Sequence, residues 1–157
     1  MRLITCILAM TFYSVQAMAE VKVVDGDSLE IDGKRIRLQG IDSPEYKQVC
    51  RRGKTAKYDC GDASRDYLQY LVDKGEVTCI EEDIDRYGRS LSTCYVDDDI
   101  FDLKYNINSE MIRSGWAVVY RSSKQEYLDD EQYAKDNKLG LWQGKFMRPE
   151  LYRALNR

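Results

Sequence analysis

Between residues 21 and 38, apolar side chains come in three short runs separated by turn residues, a pattern that confines this stretch to short strands. Val21 to Val24 is apolar and β-branched, and Asp25-Gly26-Asp27 interrupts it. Leu29 and Ile31 then alternate with polar neighbours, and Asp32-Gly33 is a strong two-residue hairpin signal. Ile36 and Leu38 continue the alternation, with Arg35, Arg37 and Gln39 on the opposite face. Gly40 permits a bulge or bend before Asp42.

Further on, Val77 to Ile84 and Leu91 to Val96 read as a second hairpin around Arg86-Tyr87-Gly88-Arg89. A helix is predicted over 62–74, capped by Asp62, with Ala63, Tyr67, Tyr70 and Leu71 on one face. A second is predicted over 103–114, with Leu103, Ile107 and Met111 inward and Gly115 ending it. Trp116 to Tyr120 reads as a strand. A third helix follows over 125–138, stopped by Gly140. After Pro149, residues Phe146, Leu151, Tyr152 and Leu155 suggest an amphipathic tail helix packed on the rest. Five or so short strands with two or three helices between them fit a mainly β, α+β chain. The expected form is a small antiparallel barrel decorated by packed helices.

The length of 157 residues fits one domain, and no repeat or linker divides it. Residues 1–19 read as a secretory signal: Arg2, an apolar run from Leu3 to Tyr13, and an Ala17-Met18-Ala19 cleavage site. The remaining 20–157 form the expected domain, exported to the periplasm or secreted, without a membrane segment and monomeric. Cys6 leaves with the signal. Cys50, Cys60, Cys79 and Cys94 remain, an even count that suggests disulfides in an exported chain. Three pairings are possible, and the two local ones are favoured. Cys79 and Cys94 sit near the outer ends of the second hairpin, and Cys50 with Cys60 would staple a polar loop. A zinc site of four cysteines is the alternative, but its usual closely spaced cysteine pairs are missing.

The chain has no histidine. That excludes a Ser-His-Asp or Cys-His nucleophile and every metal site that needs imidazole. Proton transfer falls to Asp, Glu, Lys, Tyr or water. The usual nucleotide-binding glycine loops are absent too. Three clusters could carry chemistry: Asp25-Gly26-Asp27; Arg37 with Asp42-Ser43-Pro44-Glu45; and Arg86-Tyr87-Gly88-Arg89. Singly, each reads as an ordinary turn, cap or hairpin tip. Together, two carboxylates can hold a hard divalent cation, two arginines can clamp a phosphate, and a third carboxylate can activate water. Phosphodiester hydrolysis needs those parts and no histidine.

These segments also resemble the staphylococcal nuclease (thermonuclease) family. The resemblance is carried by Val24-Asp25-Gly26-Asp27-Ser28, by Ile36-Arg37-Leu38 through Ile41-Asp42-Ser43-Pro44-Glu45, and by Asp85-Arg86-Tyr87-Gly88-Arg89. Ile112 to Ala117 and Ala134 to Trp142 are similar to the family's later segments. The likeness covers about residues 21–142 and implies an OB-fold, a five-stranded barrel with helices. It implies a calcium-dependent nuclease that cuts DNA and RNA and leaves 3′-phosphate ends, with single strands preferred. Asp27 and Asp42 would be carboxylate ligands of Ca²⁺, and Ser43 would lend its backbone carbonyl. Two carboxylates and a carbonyl also suit Mg²⁺ or Mn²⁺, so calcium rests on the resemblance alone. Glu45 would be the general base, and Arg37 and Arg89 the arginines that stabilise the transition state. Arg86 and Tyr87 would contact a neighbouring phosphate.

Tyr120 is the candidate base-stacking tyrosine, and a barrel-edge tyrosine is the alternative. A chain of net charge −3 is acidic for a nucleic-acid enzyme. However, Arg35, Arg37, Lys47, Arg51, Arg52, Lys54 and Lys57 bracket the Asp-Ser-Pro-Glu segment and could form a local anion-binding field. The rival reading is a non-catalytic OB-fold binder of single strands.

Overall fold

The computed structural model describes residues 19–98, 100–122 and 124–156. The predicted signal segment lies outside the described residues, apart from its last position. The first meander forms as the turns demand. Strands β1 (Val21–Asp25), β2 (Ser28–Ile31) and β3 (Lys34–Leu38) pair antiparallel in sequence order. Asp32 and Gly33 have φ of 49° and 80°, the paired positive values of a type I′ turn.

The other strands follow in chain order. They are β4 (Ile41–Asp42), β5 (Val49–Arg52), β6 (Ala56–Asp59), β7 (Gly75–Ile84), β8 (Ser90–Asp98), β9 (Leu103–Asn106), β10 (Val118–Val119) and β11 (Gly144–Lys145). The main sheet runs β1-β2-β3-β8-β7, with β9 added beside β8. The five-strand path and the OB-type fold agree with expectation. One ladder does not follow the antiparallel rule, because β3 and β8 run parallel.

Among the described residues four α-helices decorate the sheet: α1 (Cys60–Val72), α2 (Ile107–Arg113), α3 (Gln125–Asp136) and α4 (Pro149–Leu155). Leu29, Leu38, Leu68, Val96, Ile107, Met111 and Ile112 fill the space between sheet and helices. A smaller second core gathers Cys50, Cys60, Val118 and Leu141, with Tyr58, Trp116, Trp142 and Phe146 against it. Disulfides join Cys50 to Cys60 and Cys79 to Cys94. The second links directly opposed residues of β7 and β8.

Several boundaries differ from the sequence reading. The cap of α1 is Asp59, whose carboxylate accepts from the Asp62 amide, so the helix starts two residues early. Its buried face is Cys60, Ser64, Leu68 and Leu71, and Tyr70 is exposed. Residues 103–106 are strand rather than helix, because they pair with β8, and Leu103 points to solvent. Of Trp116 to Tyr120, only Val118 and Val119 form a ladder. The polar loop between the cysteines is a hairpin, β5 with β6, extended by β11. The tail helix exists, with Pro149 buried and Tyr152 half-buried, but Leu151 and Leu155 are exposed, so its apolar packing is partial.

Candidate active site

Asp27 lies in the turn that joins β1 to β2. A Cβ at Gly26 would lie 2.0 Å from the Ser64 hydroxyl oxygen of α1 and 2.9 Å from the Ser43 Cβ. Only glycine lets this turn press against the Ser64 side chain of α1 and the Ser43 Cβ. Asp42 lies in β4, clamped by antiparallel pairing with Val118. Both carboxylates are buried, as is Ser43. The Ser43 amide donates to Asp27 Oδ2 at 3.1 Å, and the Ser28 hydroxyl donates to Asp27 Oδ1 at 3.0 Å.

Arg37, on β3, binds both acids. Its Nη1 donates to Asp27 Oδ1 at 2.9 Å. Its Nη2 lies 2.9 Å from Asp27 Oδ2 and 3.0 Å from Asp42 Oδ1. Two carboxylates that converge on one nitrogen can also converge on one hard cation. Burial pushes the Asp27 carboxyl up to about 7. Arg37 opposes that shift, and Asp25 and Asp42 add to it. A charge so poorly solvated is one that a bound cation would stabilise. Among the described residues no three acids, histidines or cysteines group as a metal site. The Asp27–Asp42 pair would therefore need the Ser43 carbonyl, water and substrate oxygens to complete a shell.

Glu45 is set by two neighbours. Its amide donates to the Gln48 side-chain carbonyl at 3.1 Å, and its own carbonyl accepts from the Gln48 amide at 2.8 Å. Gly61 abuts that carbonyl so closely that a Cβ there would sit 2.1 Å away. Gln48 is fully buried, and its Nε2 also donates to the Met147 carbonyl at 2.7 Å.

The third cluster is a self-contained turn between β7 and β8. Asp85 Oδ1 accepts from the amides of Tyr87 and Arg89, each at 2.9 Å. Its Oδ2 accepts from Arg89 Nε at 2.8 Å. Burial would raise the Asp85 pKa, but these bonds from Arg89 and Tyr87 hold it below the usual value. Arg86 donates to the Tyr87 hydroxyl at 2.7 Å and lies over its ring.

Asp27, Arg37, Ser43, Glu45, Arg86, Tyr87, Arg89 and Tyr120 all line one cleft of about 840 Å³. Asp42 lies beneath its surface, fully buried. Tyr120 is tied to the fold through its amide, which donates to the Gly40 carbonyl at 2.9 Å, and Arg121 lies over its ring.

Residues 35–144, more than half of the chain, match the family model described as staphylococcal nuclease homologue. The chain belongs to the staphylococcal nuclease family. Among its relatives, the succinoglycan biosynthesis protein ExoI of Rhizobium meliloti is 35% identical over 130 residues, spanning 82% of this chain and 65% of that protein. An uncharacterized endonuclease of Escherichia coli O157:H7 is 36% identical, over 78% of this chain and 74% of its own. A micrococcal nuclease of Shigella flexneri is 30% identical, over 78% and 71%.

In this staphylococcal nuclease family member, further residues in or beneath the cleft have roles that the sequence reading did not assign. Asp85 shapes the arginine turn, and its position in the motif was the available signal. Gln48 and Arg153 had none, since neither belongs to a local pattern. Arg153, on α4, donates from Nη1 to Asp42 Oδ1 at 2.8 Å and to Glu45 Oε1 at 2.6 Å, and from Nη2 to Asp42 Oδ2 at 3.0 Å.

The basic residues after Glu45 prove to be ordered by the extra sheet. Arg51 pairs with Lys57 on one side and with Lys145 on the other, so three cations form one cross-strand row. Among the described residues, no carboxylate lies within 4.0 Å of Lys47, Arg51, Arg52, Lys54, Lys57 or Lys145. Like charges facing each other across strands are destabilising, unless an anion neutralises them. No helix among the described residues is long and apolar enough to cross a membrane. The two disulfides are compatible with an oxidising compartment.

Proposed function

We propose that the chain is an exported, divalent-metal-dependent nuclease that hydrolyses phosphodiester bonds of DNA and RNA. One observation carries the reading: two buried hard-oxygen carboxylates, two arginines and a third carboxylate meet at one cleft. Asp27, Asp42 and the Ser43 carbonyl would hold the metal, with Ca²⁺ as the first candidate on family grounds. Bound there, the ion would supply fixed positive charge for a phosphate oxygen. Glu45 takes the proton from the attacking water. Before metal enters, its Oε1 accepts from Arg153, and its second oxygen is not in that contact. Arg37 and Arg89 donate to the phosphate oxygens as negative charge builds on them. Arg86 and Tyr87 hold the next phosphate, and Tyr120 offers a ring for a base. The unpaired cations of β5, β6 and β11 attract the strand outside the cleft. The products carry 3′-phosphate ends, single strands are the preferred substrate, and the enzyme acts as a monomer.

The test is release of acid-soluble fragments from single-stranded DNA with Ca²⁺, with Mg²⁺ and with chelator, beside Glu45→Ala. Calcium-dependent release that the variant loses is the expected result. Release that persists in the variant removes Glu45 from its role. Binding without release, with any metal, turns the reading to a single-strand binder.

A further inference from the structure

Arg153 is bonded to Asp42, a carboxylate that the metal reading needs. It lies outside the segment that matches the family, on the short helix α4. Its fork covers both oxygens of Asp42, and Oδ1 also accepts from Arg37. Three cationic N–H donors on one buried carboxylate leave little lone-pair capacity for another ion. A guanidinium and a divalent cation within a few ångströms of each other also repel strongly in a partly buried site.

The helix that bears Arg153 has little else to hold it down. Pro149 is buried, but Leu151 is 51% exposed and Leu155 65% exposed. The Arg121–Glu150 pair is open to solvent at 3.9 Å, a geometry of little worth. The approach to the helix is anchored instead, because the Met147 carbonyl accepts from the buried Gln48 side chain. A segment pinned at one end and docked at the other through charge can detach without uncovering a core.

We propose that α4 is a strap whose Arg153 competes with the divalent cation for Asp42, so that metal entry and strap docking exclude each other. The proposal rests on the metal-dependent reading above. Without metal the strap neutralises Asp42, engages Glu45 and closes the cleft from one side. With metal bound, Arg153 leaves Asp42, Glu45 is freed, and the cleft opens to substrate.

The experiment is calorimetric titration of Ca²⁺ into the purified full chain, for the parent, Arg153→Ala and Arg153→Lys. Removing the competitor should tighten Ca²⁺ binding about tenfold, a typical coupling between exclusive ligands. Arg153→Lys keeps the charge but loses the fork, and should fall between the two. Hydrogen exchange of residues 149–155 in the parent should speed up on adding Ca²⁺. Calcium affinity that is unchanged or weaker in Arg153→Ala overturns the proposal and leaves the metal reading intact. Unchanged exchange in 149–155 overturns it as well, even if Arg153→Ala does not fold. No binding of Ca²⁺, nor of Mg²⁺ or Mn²⁺ titrated in its place, in any of the three proteins overturns the metal reading, and the strap with it.

Discussion

Arg37 and Arg89 line the same cleft but are held in different ways. Arg37 is 17% exposed and sits between two buried carboxylates, Asp27 from the β1–β2 turn and Asp42 from β4. Arg89 is 25% exposed and is fixed by Asp85, four residues away in its own turn. One arm of the clamp is a product of tertiary packing, and the other is built into a hairpin tip. Removing Arg37 leaves the buried Asp27 without a cation, whereas Asp42 keeps the Arg153 fork. Removing Arg89 frees one partly solvated carboxylate that keeps two backbone donors.

The largest expected effect comes from deleting each arm. Arg37→Ala and Arg89→Ala should each lower turnover about 10²–10³-fold, as loss of a preorganised donor does. Their stabilities should separate. In chelator, urea unfolding should show Arg37→Ala destabilised by about 3–5 kcal/mol, the usual result of breaking a buried pair. Arg89→Ala should lose no more than about 1 kcal/mol. Equal stability losses would break the comparison.

Next is the pH response of the buried arm. The folded Asp27 pKa of about 7 lies above its ordinary value of 3.8. Between those values the folded state holds a proton that the unfolded chain has released. Metal-free stability from this group is therefore lost as pH rises from about 4 to about 7. Asp27→Asn should flatten that fall, measured as unfolding free energy in chelator at about pH 5 and about pH 8. An unchanged slope would show that the Arg37 pairing, not burial, governs Asp27.

Asp85→Asn sharpens the other side. It keeps the turn's shape but loosens the Arg89 fork, so turnover should fall by less than about 10²-fold, with little change in stability. A loss as large as that of Arg89→Ala would mean that Asp85 does more than position the arginine. The smallest effect is expected outside the cleft. Arg51→Glu should weaken binding of a long single strand and reduce its salt dependence by about one phosphate contact. The same variant should leave cleavage of a very short oligonucleotide unchanged.

The legible part of the site was the part carried by short motifs. Asp25-Gly26-Asp27, the step from Arg37 to Asp42, and Asp85 to Arg89 each place their residues through a local turn or neighbouring strand. The structure brings Asp27, Arg37, Arg86 and Arg89 to one cleft, with Asp42 buried beneath it. The β5–β6 hairpin was not legible, because Val49-Cys50-Arg51-Arg52 lacks the apolar alternation that marks a strand. Its order comes from the second core and the disulfide beneath it. Strand β9 was read as helix because Leu103, Ile107 and Met111 have helical spacing, and only pairing with β8 decides against it.

By itself, the sequence determined the first meander, the Asp32-Gly33 turn and the Asp85-centred arginine turn. Each depends on backbone preferences and donors within a few residues. It also supplied the acids and arginines of the cleft, because their spacing survives in the chain. Only the tertiary structure decided that Gln48 joins Glu45 to the approach of α4, and that Arg153 reaches back 111 positions to Asp42. Periodicity reports neighbours within a turn or two. A bond between a terminal helix and a two-residue strand leaves no such trace, so it exists only once the core between them has packed.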